Sequence, residues 1–560
     1  MMRQMSIEQS TAFEEAAALL SAGEWERARA GFQAVLEEEP SPDAEEGLGR
    51  ALWWLRRPDE AIVHMERAYA GFRERGIVPR ASRAALWLAR EYQAVRGNAA
   101  ASNGWYARAE GLLRDAPPAS EHGWLALTRA ERAADPAEMG RCAEEAYGIA
   151  EATGDRDLEA AALARRGYAE LAAGDVASGT DRLDEAMAAA TGGDVRSLDV
   201  VGDITCIAIA AFELSSDWQR IEQWGQVMES WIQNHDDVAV LGFCSACCSE
   251  LFLASGQWEE AEGMLTEGLG ALQAAGHRSR CVHPAAKLAE LRLTQARLEE
   301  AEQLLTGFEE LPEAAHGIAH LHLVRGEYAL AAATIHRRLN RIGDDNVLAA
   351  PFLALLVEVQ VSQGDLDGAE RSADRLGRIA GASGIDRVAA MADLARGRVA
   401  VARSNPEAVG ALEAALARFA QAGMSVDAAR ARFELARALE EDQPEVAVAE
   451  ARTALAEFER VGAPRDADAA AELLRRHGVR GRTGPKDAGL LTRREQEVLH
   501  LVAEGLTNAE IAARLHLSTK TVGHHVSSVL AKLGVKNRGE AGAWASRHLR
   551  APAPEDSAKR

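Results

Sequence analysis

The chain has 560 residues, 47% of them hydrophobic and 27% charged, with a formal net charge of −23 and few aromatics. That composition excludes a disordered or collagen-like chain and favours alanine-rich packed helices over strands. No apolar run approaches the roughly 20 residues needed to span a bilayer, and MMRQMSIEQSTAFEEAAALL turns acidic and helical too soon for a signal peptide, so a cytoplasmic protein is expected.

From the N-terminus to about residue 475 one phrase recurs, as SAGEWERARAGF (21–32), ASGQWEEAEGML (254–265), TQARLEEAEQLL (294–305), VRGEYALAAATI (324–335) and SQGDLDGAERSA (362–373). Each copy has a small or turn-forming residue, an acidic or polar one, a bulky one, then alanine five positions after the turn residue. Weaker copies surround Pro58, Gly97, Asp135, Gly174, Asp217, Asn405 and Asp442, which gives a period of about 38 residues and about twelve units. Physically this is a helix pair. Glycine ends one helix in a left-handed cap, the acidic residue favours the next N-terminus, and alanine lets the two helices approach. Such units bury their apolar faces only by stacking into a superhelix. The pattern resembles tetratricopeptide repeats, with a longer period than usual.

Two features of the array stand out. Six cysteines (142, 206, 244, 247, 248, 281) are too few and too uneven for a disulfide framework. CSACC (244–248) with CVH (281–283) lacks the paired CxxC knuckles of a zinc site, so buried packing is the preferred reading and no metal is assigned. Trp218, Trp224, Trp231 and Trp258, near Phe243 and Phe252, read more simply as inter-repeat core than as a ligand groove. The neighbours Trp53 and Trp54 must point to different faces of a helix, which allows one to be exposed. No phosphate-binding GxxxxGK[ST], nucleophile elbow or HExxH occurs. The expectation is a non-enzyme without a cofactor.

GRTGPKDAG (481–489) reads as a basic linker, assigned to 476–489, and from Leu490 the language changes. Thr492 and Glu495 have capping-box spacing, Val498, Leu499 and Val502 form an apolar stripe, and Gly505 ends a first helix. Thr507 and Glu510 repeat the spacing and open a short second helix with Ile511, Ala512 and Leu515 inward. Ser518 caps a third, whose interior stripe is Val522, Val526, Val529, Leu530 and Leu533. Its other face carries Lys520, Gly523, His524, Ser527 and Ala531, flanked by Thr521, His525 and Lys532. Small polar groups there would let the helix enter a major groove. NRGEAGAWASRHL gives a fourth helix, and 551–560 a flexible tail.

Two helices joined by a tight turn form a helix-turn-helix. Residues 490–550 resemble the LuxR/GerE-type DNA-binding domain through LTxRExEVL at 491–499, EGLTNAEIAARL at 504–515, STKTVGHHV at 518–526 and KLGVKNR at 532–538. The resemblance implies four helices, major-groove reading by the third, pairing through the fourth, and double-stranded DNA as partner. Carried onto matching positions, it implies phosphate anchoring by Ser518, Lys520, Thr521, His525, Lys532 and Asn508, and base contacts at His524 and Ser527, with Thr519 completing the set. Position 523, where the family often has lysine, holds glycine, so a donor is lost at a base-contact offset. Arg493 replaces a frequent proline.

Charge is segregated. Residues 490–550 carry nine Lys/Arg against five Glu, residues 475–489 five basic against one acidic, and the tail is neutral. Residues 1–474, the array, therefore hold −31, from −23 less the two +4 segments. The expected architecture is all-α: a tetratricopeptide-like superhelix over 1–475 and a four-helix LuxR-type domain over 490–550. The layout resembles large LuxR-family regulators without their ATPase module. It implies a transcription regulator whose array senses a small effector or a protein such as RNA polymerase, and which pairs as a homodimer on DNA. The competing reading is a repeat-based adaptor that uses the terminal domain for localisation or dimerisation.

Overall fold

The computed structural model describes residues 2–233, 249–343, 345–479, 493–503 and 505–515, then 522–523, 526, 529–530, 535 and 537–548. Among the described residues every regular element is helical. By contacts the chain divides into two units, Met1–Val461 and Gly462–Arg560; the second begins with helix Pro464–Arg476.

Within the first unit helices run in antiparallel pairs whose turns fall where the repeated phrase places them. Backbone in the left-handed region marks those turns at Gly23, Arg56, Gly97, Gly174, Ser216, Gly256, Ala296, Gly326, Gly364 and Ser404. The chain's amides complete the cap: Gly364 N–H donates to Val361 O at 3.1 Å and Asp365 N–H to Gln360 O at 2.9 Å. The Asp365 side chain then accepts from Gly368 N–H at 3.0 Å and starts Leu366–Ser383. Five residues past six of these turns stands an alanine. Ala28, Ala61, Ala261, Ala301, Ala331 and Ala369 are all wholly enclosed. In the unit after Gly174 that position is Gly179, where a Cβ would lie 2.6 Å from Gly167 O, so Val176–Gly192 crosses its partner backbone to backbone.

Each helix packs on its chain neighbours, and the first helices of successive pairs also pack on one another, as Val78–Ala94 on Ser120–Arg132 and Ala350–Gln363 on Asp386–Ala402. The first helices thus form an inner layer and the second helices an outer one: a tetratricopeptide-like superhelix. It winds tightly enough to touch itself. Ser279 Oγ donates to Gln93 O at 2.6 Å across 186 residues, and Ser425 Oγ to Ser255 O at 3.0 Å across 170. One superhelical turn therefore takes roughly five repeats of about 38 residues.

The inner layer brings charges from neighbouring and more distant helices together, and they pair. Lys287 Nζ lies 3.1 Å from both Glu213 and Glu250, and Arg387 reaches Glu250 at 3.3 Å. Glu290 holds His316 and His320, each at 2.6 Å. Lys287 brings Glu250 down to about 2, whereas burial pushes Glu213 up to about 7. Burial also keeps the His283 imidazole neutral, down to about 3.

The tryptophans behave as core: Trp218, Trp224 and Trp231 lean half-buried on one apolar cluster, and Trp258 is buried. Trp224 Nε1 donates to Asp184 at 2.7 Å. Phe243 and Cys244, Cys247 and Cys248 lie outside the described residues. Cys281 is buried, its thiol donating to His277 O at 3.2 Å, and burial raises its pKa. Neither Trp53 nor Trp54 is exposed: Trp54 stacks on Trp25 at 4.7 Å and 11°, and Trp53 meets Trp54 edge-on at 5.0 Å.

Two outcomes test this packing. Replacing the enclosed Ala301 by leucine overpacks its helix crossing and should lower array stability by about 1–3 kcal/mol, read from the urea midpoint. His283 is neutral when folded down to about 3 but titrates near 6.5 when unfolded. Below 6.5 the unfolded chain alone gains the proton, so this group's contribution is present above 6.5 and declines as pH falls towards 3. The stability of the wild type relative to His283→Gln should fall over that range, by up to about 1.4 kcal/mol per pH unit.

Candidate nucleic-acid interface

Helix Arg493–Ala503 ends at Gly505, whose φ of 84° is left-handed, and its amide donates to Val502 O at 3.1 Å. Thr507 then begins Asn508–Leu515 through a reciprocal cap. Its amide donates to Glu510 Oε2 at 2.7 Å, and the Glu510 amide donates back to Thr507 Oγ1 at 3.4 Å. These bonds hold the Glu510 carboxyl below the usual range. The equivalent cap expected at Thr492 lies outside the described residues.

The inward stripes close one small core. Val498, Leu499, Ile511 and Val522 are wholly buried and Val529 nearly so, with Val526, Leu530 and Leu515 half-buried against them. Leu533 is outside the described residues. The fourth helix, Arg538–His548, contributes Ala541 and Ala545 to the core among its described side chains. Sequence reasoning missed both, because two alanines make no apolar stripe.

Arg538 was also missed as a structural residue. One guanidinium nitrogen donates to Asn508 Oδ1 at 2.7 Å and the other to Leu506 O, tying the start of the fourth helix to the start of the second. Asn537 caps the same helix: its Oδ1 accepts from Glu540 N–H at 3.0 Å and its Nδ2 donates to Glu540 Oε1 at 2.8 Å.

Of the ten candidate contact residues, Asn508 and Gly523 fall among the described ones. Asn508 is half-buried and spends its carbonyl on Arg538, which leaves its amide for any phosphate. Gly523 is helical and half-buried; a Cβ there would meet nothing nearer than Asn508 Nδ2, at 3.9 Å. The structure brings these two candidates side by side. Ser518, Thr519, Lys520, Thr521, His524, His525, Ser527 and Lys532 lie outside the described residues.

Residues 489–545 match the family described as bacterial regulatory proteins, luxR family. The chain carries a LuxR-type helix-turn-helix domain at its C-terminal end. Similar proteins include the response regulator protein VraR of Staphylococcus aureus and that of Staphylococcus saprophyticus. Each is 48% identical over 59 residues, which is 10% of this chain. The chain spans 28% of the length of these curated relatives. Among solved structures, yeast Tom70 aligns over 79% of this chain and 98% of its own at 9% identity and a TM-score of 0.32. The Cut9–Hcn1 hetero-tetramer of the APC/C aligns over 82% and 94% at 12% identity and 0.35.

The LuxR-type core makes opposite demands at two positions. Arg538→Ala leaves Leu506 O and Asn508 without their donor and should destabilise the domain by about 1–3 kcal/mol. Gly523→Ala fills open space on a helix and should stabilise it by about 0.5–1 kcal/mol. Amide hydrogen exchange of residues 508–515 in the full-length chain reads both.

Proposed function

We propose that the chain is a sequence-specific DNA-binding transcription regulator whose helical array senses a small effector or a protein partner. The observation that carries it is the LuxR-type domain, whose segment matches the family over 489–545 and whose described apolar residues form a single core. Within it, Ser518, Thr519, Lys520, Thr521, His525 and Lys532, with the Asn508 amide, anchor phosphates; His524 and Ser527 meet base edges beside the small Gly523.

Charge segregation supports the division of labour. A net +4 over 490–550 is modest, so one copy binds weakly and two copies on a two-fold site bind usefully. The array, at −31, contributes no attraction to DNA and is free to respond to something else. No helix among the described residues is long and apolar enough to cross a membrane.

In mobility shifts of the full-length chain across salt concentration, Lys532→Ala should reduce the log–log slope by about one unit. Removing residues 1–480 should change DNA affinity or its dependence on effector; identical behaviour would take the array out of regulation. Retention of a stable protein partner by a chain lacking 490–550, without transcriptional change, would favour the adaptor reading.

A further inference from the structure

Where the first two superhelical turns meet, a cavity of about 170 Å³ lies among helices Pro42–Trp54, Val78–Ala94, Leu198–Ser215 and Trp258–Ala274 and the segment 275–280. A cavity of about 150 Å³ suffices for one benzene-sized ring. One wall is aromatic and fixed. Trp54 is stacked on Trp25, and Trp53 is pinned by its Nε1, which donates to the wholly buried Glu91 at 3.0 Å. His277 packs edge-on to Trp53 at 5.9 Å.

Most charges around the cavity are already matched. Arg90 spans Asp203 at 3.0 Å and Glu91 at 3.2 Å, and Arg280 stands 4.0 Å from Glu91 and over the Trp53 ring at 5.8 Å. Two lining groups of opposite sign remain. Asp199 Oδ1 is enclosed with no hydrogen-bond partner, and burial raises that carboxyl's pKa although the Arg90 and Arg50 charges act against it. Arg56 is an exposed residue that forms no ion pair among the described residues. His277, 7% exposed, also has an enclosed Nδ1 without a partner, and burial holds it neutral, down to about 4. Two of the seven enclosed side-chain atoms without a hydrogen-bond partner among the described residues thus line this one cavity, where a bound group would complete their bonding.

Arg56 is unusual in its backbone too. It sits at φ 59° in the repeat's left-handed turn, a position that elsewhere carries glycine at 23, 97, 174, 256, 326 and 364, or Ser216, Ala296 and Ser404. It is the one long side chain among these turn residues. Strained positions of this kind concentrate at ligand sites.

We propose that this cavity is the array's effector site and takes a one-ring zwitterion, the chemistry of an aromatic amino acid. The ring lies against Trp53 and Trp54, the carboxylate meets Arg56, and the ammonium meets Asp199. Because its walls come from segments about 186 residues apart, the ligand would staple successive superhelical turns. The proposal rests on the reading of the array as a sensor.

The test is calorimetric titration of the full-length chain with L-phenylalanine and L-tyrosine, against phenylacetate, phenethylamine and L-leucine. One of the two aromatic amino acids should bind with one site per chain. Each control lacks the ammonium, the carboxylate or the ring and should bind about tenfold or more weakly. Arg56→Ala, Asp199→Asn and Trp54→Phe, each confirmed folded by its melting curve, should weaken binding by about the same factor. Failure of both amino acids to bind, a control binding equally well, or undiminished binding by Arg56→Ala and Asp199→Asn overturns the site. DNA retention measured alongside separates the two ideas. Binding without change in retention sustains the site and sinks the sensor reading, whereas no binding sinks the site and leaves the sensor reading standing.

Discussion

A methyl group sets the geometry of the array. At one position of most helix pairs the side chain is small enough to vanish into the crossing, as at Ala28, Ala61, Ala261, Ala301, Ala331 and Ala369. Helices then approach closely, and small rotations accumulate along the stack. With roughly five repeats of about 38 residues per turn, the accumulated rotation brings Gln93 to Ser279 and Ser255 to Ser425. Larger residues at those crossings would splay the pairs and open the coil.

Self-contact explains the polar bore. A wide superhelix could leave inner-layer charges in water. A tight one removes them from water, and each must find a partner or become neutral. Lys287 between Glu213 and Glu250, and Glu290 between His316 and His320, take the first course; His277 and His283 take the second. The cavity beside Trp53 interrupts this matching, since Asp199 Oδ1 and His277 Nδ1 lack partners there.

The LuxR-type domain is held by a different economy. Its core is small, so helix ends contribute a large share of its order: Thr507 with Glu510, Asn537 with Glu540, and Arg538 across to Asn508 and Leu506. Asn508, proposed above to anchor a phosphate, is also the acceptor of this internal clamp.

Local regularities were legible in the residues alone. The turn phrase, the buried alanine, the Thr507–Glu510 cap and the stripe through Val522 and Val529 all depend on neighbours within about five positions, and sequence spacing reports such neighbours directly. The LuxR-type motifs were legible for the same reason. Arg538, Ala541 and Ala545 were not, since an arginine and two alanines carry no periodic signal. Nor were Trp53 with Glu91, Arg90 with Asp203, or Ser279 with Gln93. Those pairs exist because many small rotations sum to a closed turn, and that sum depends on every crossing between them. The sequence by itself determined an acidic helical array and a basic LuxR-type domain. Tertiary structure alone decided which distant charges meet, which are left unmatched, and where a cavity opens.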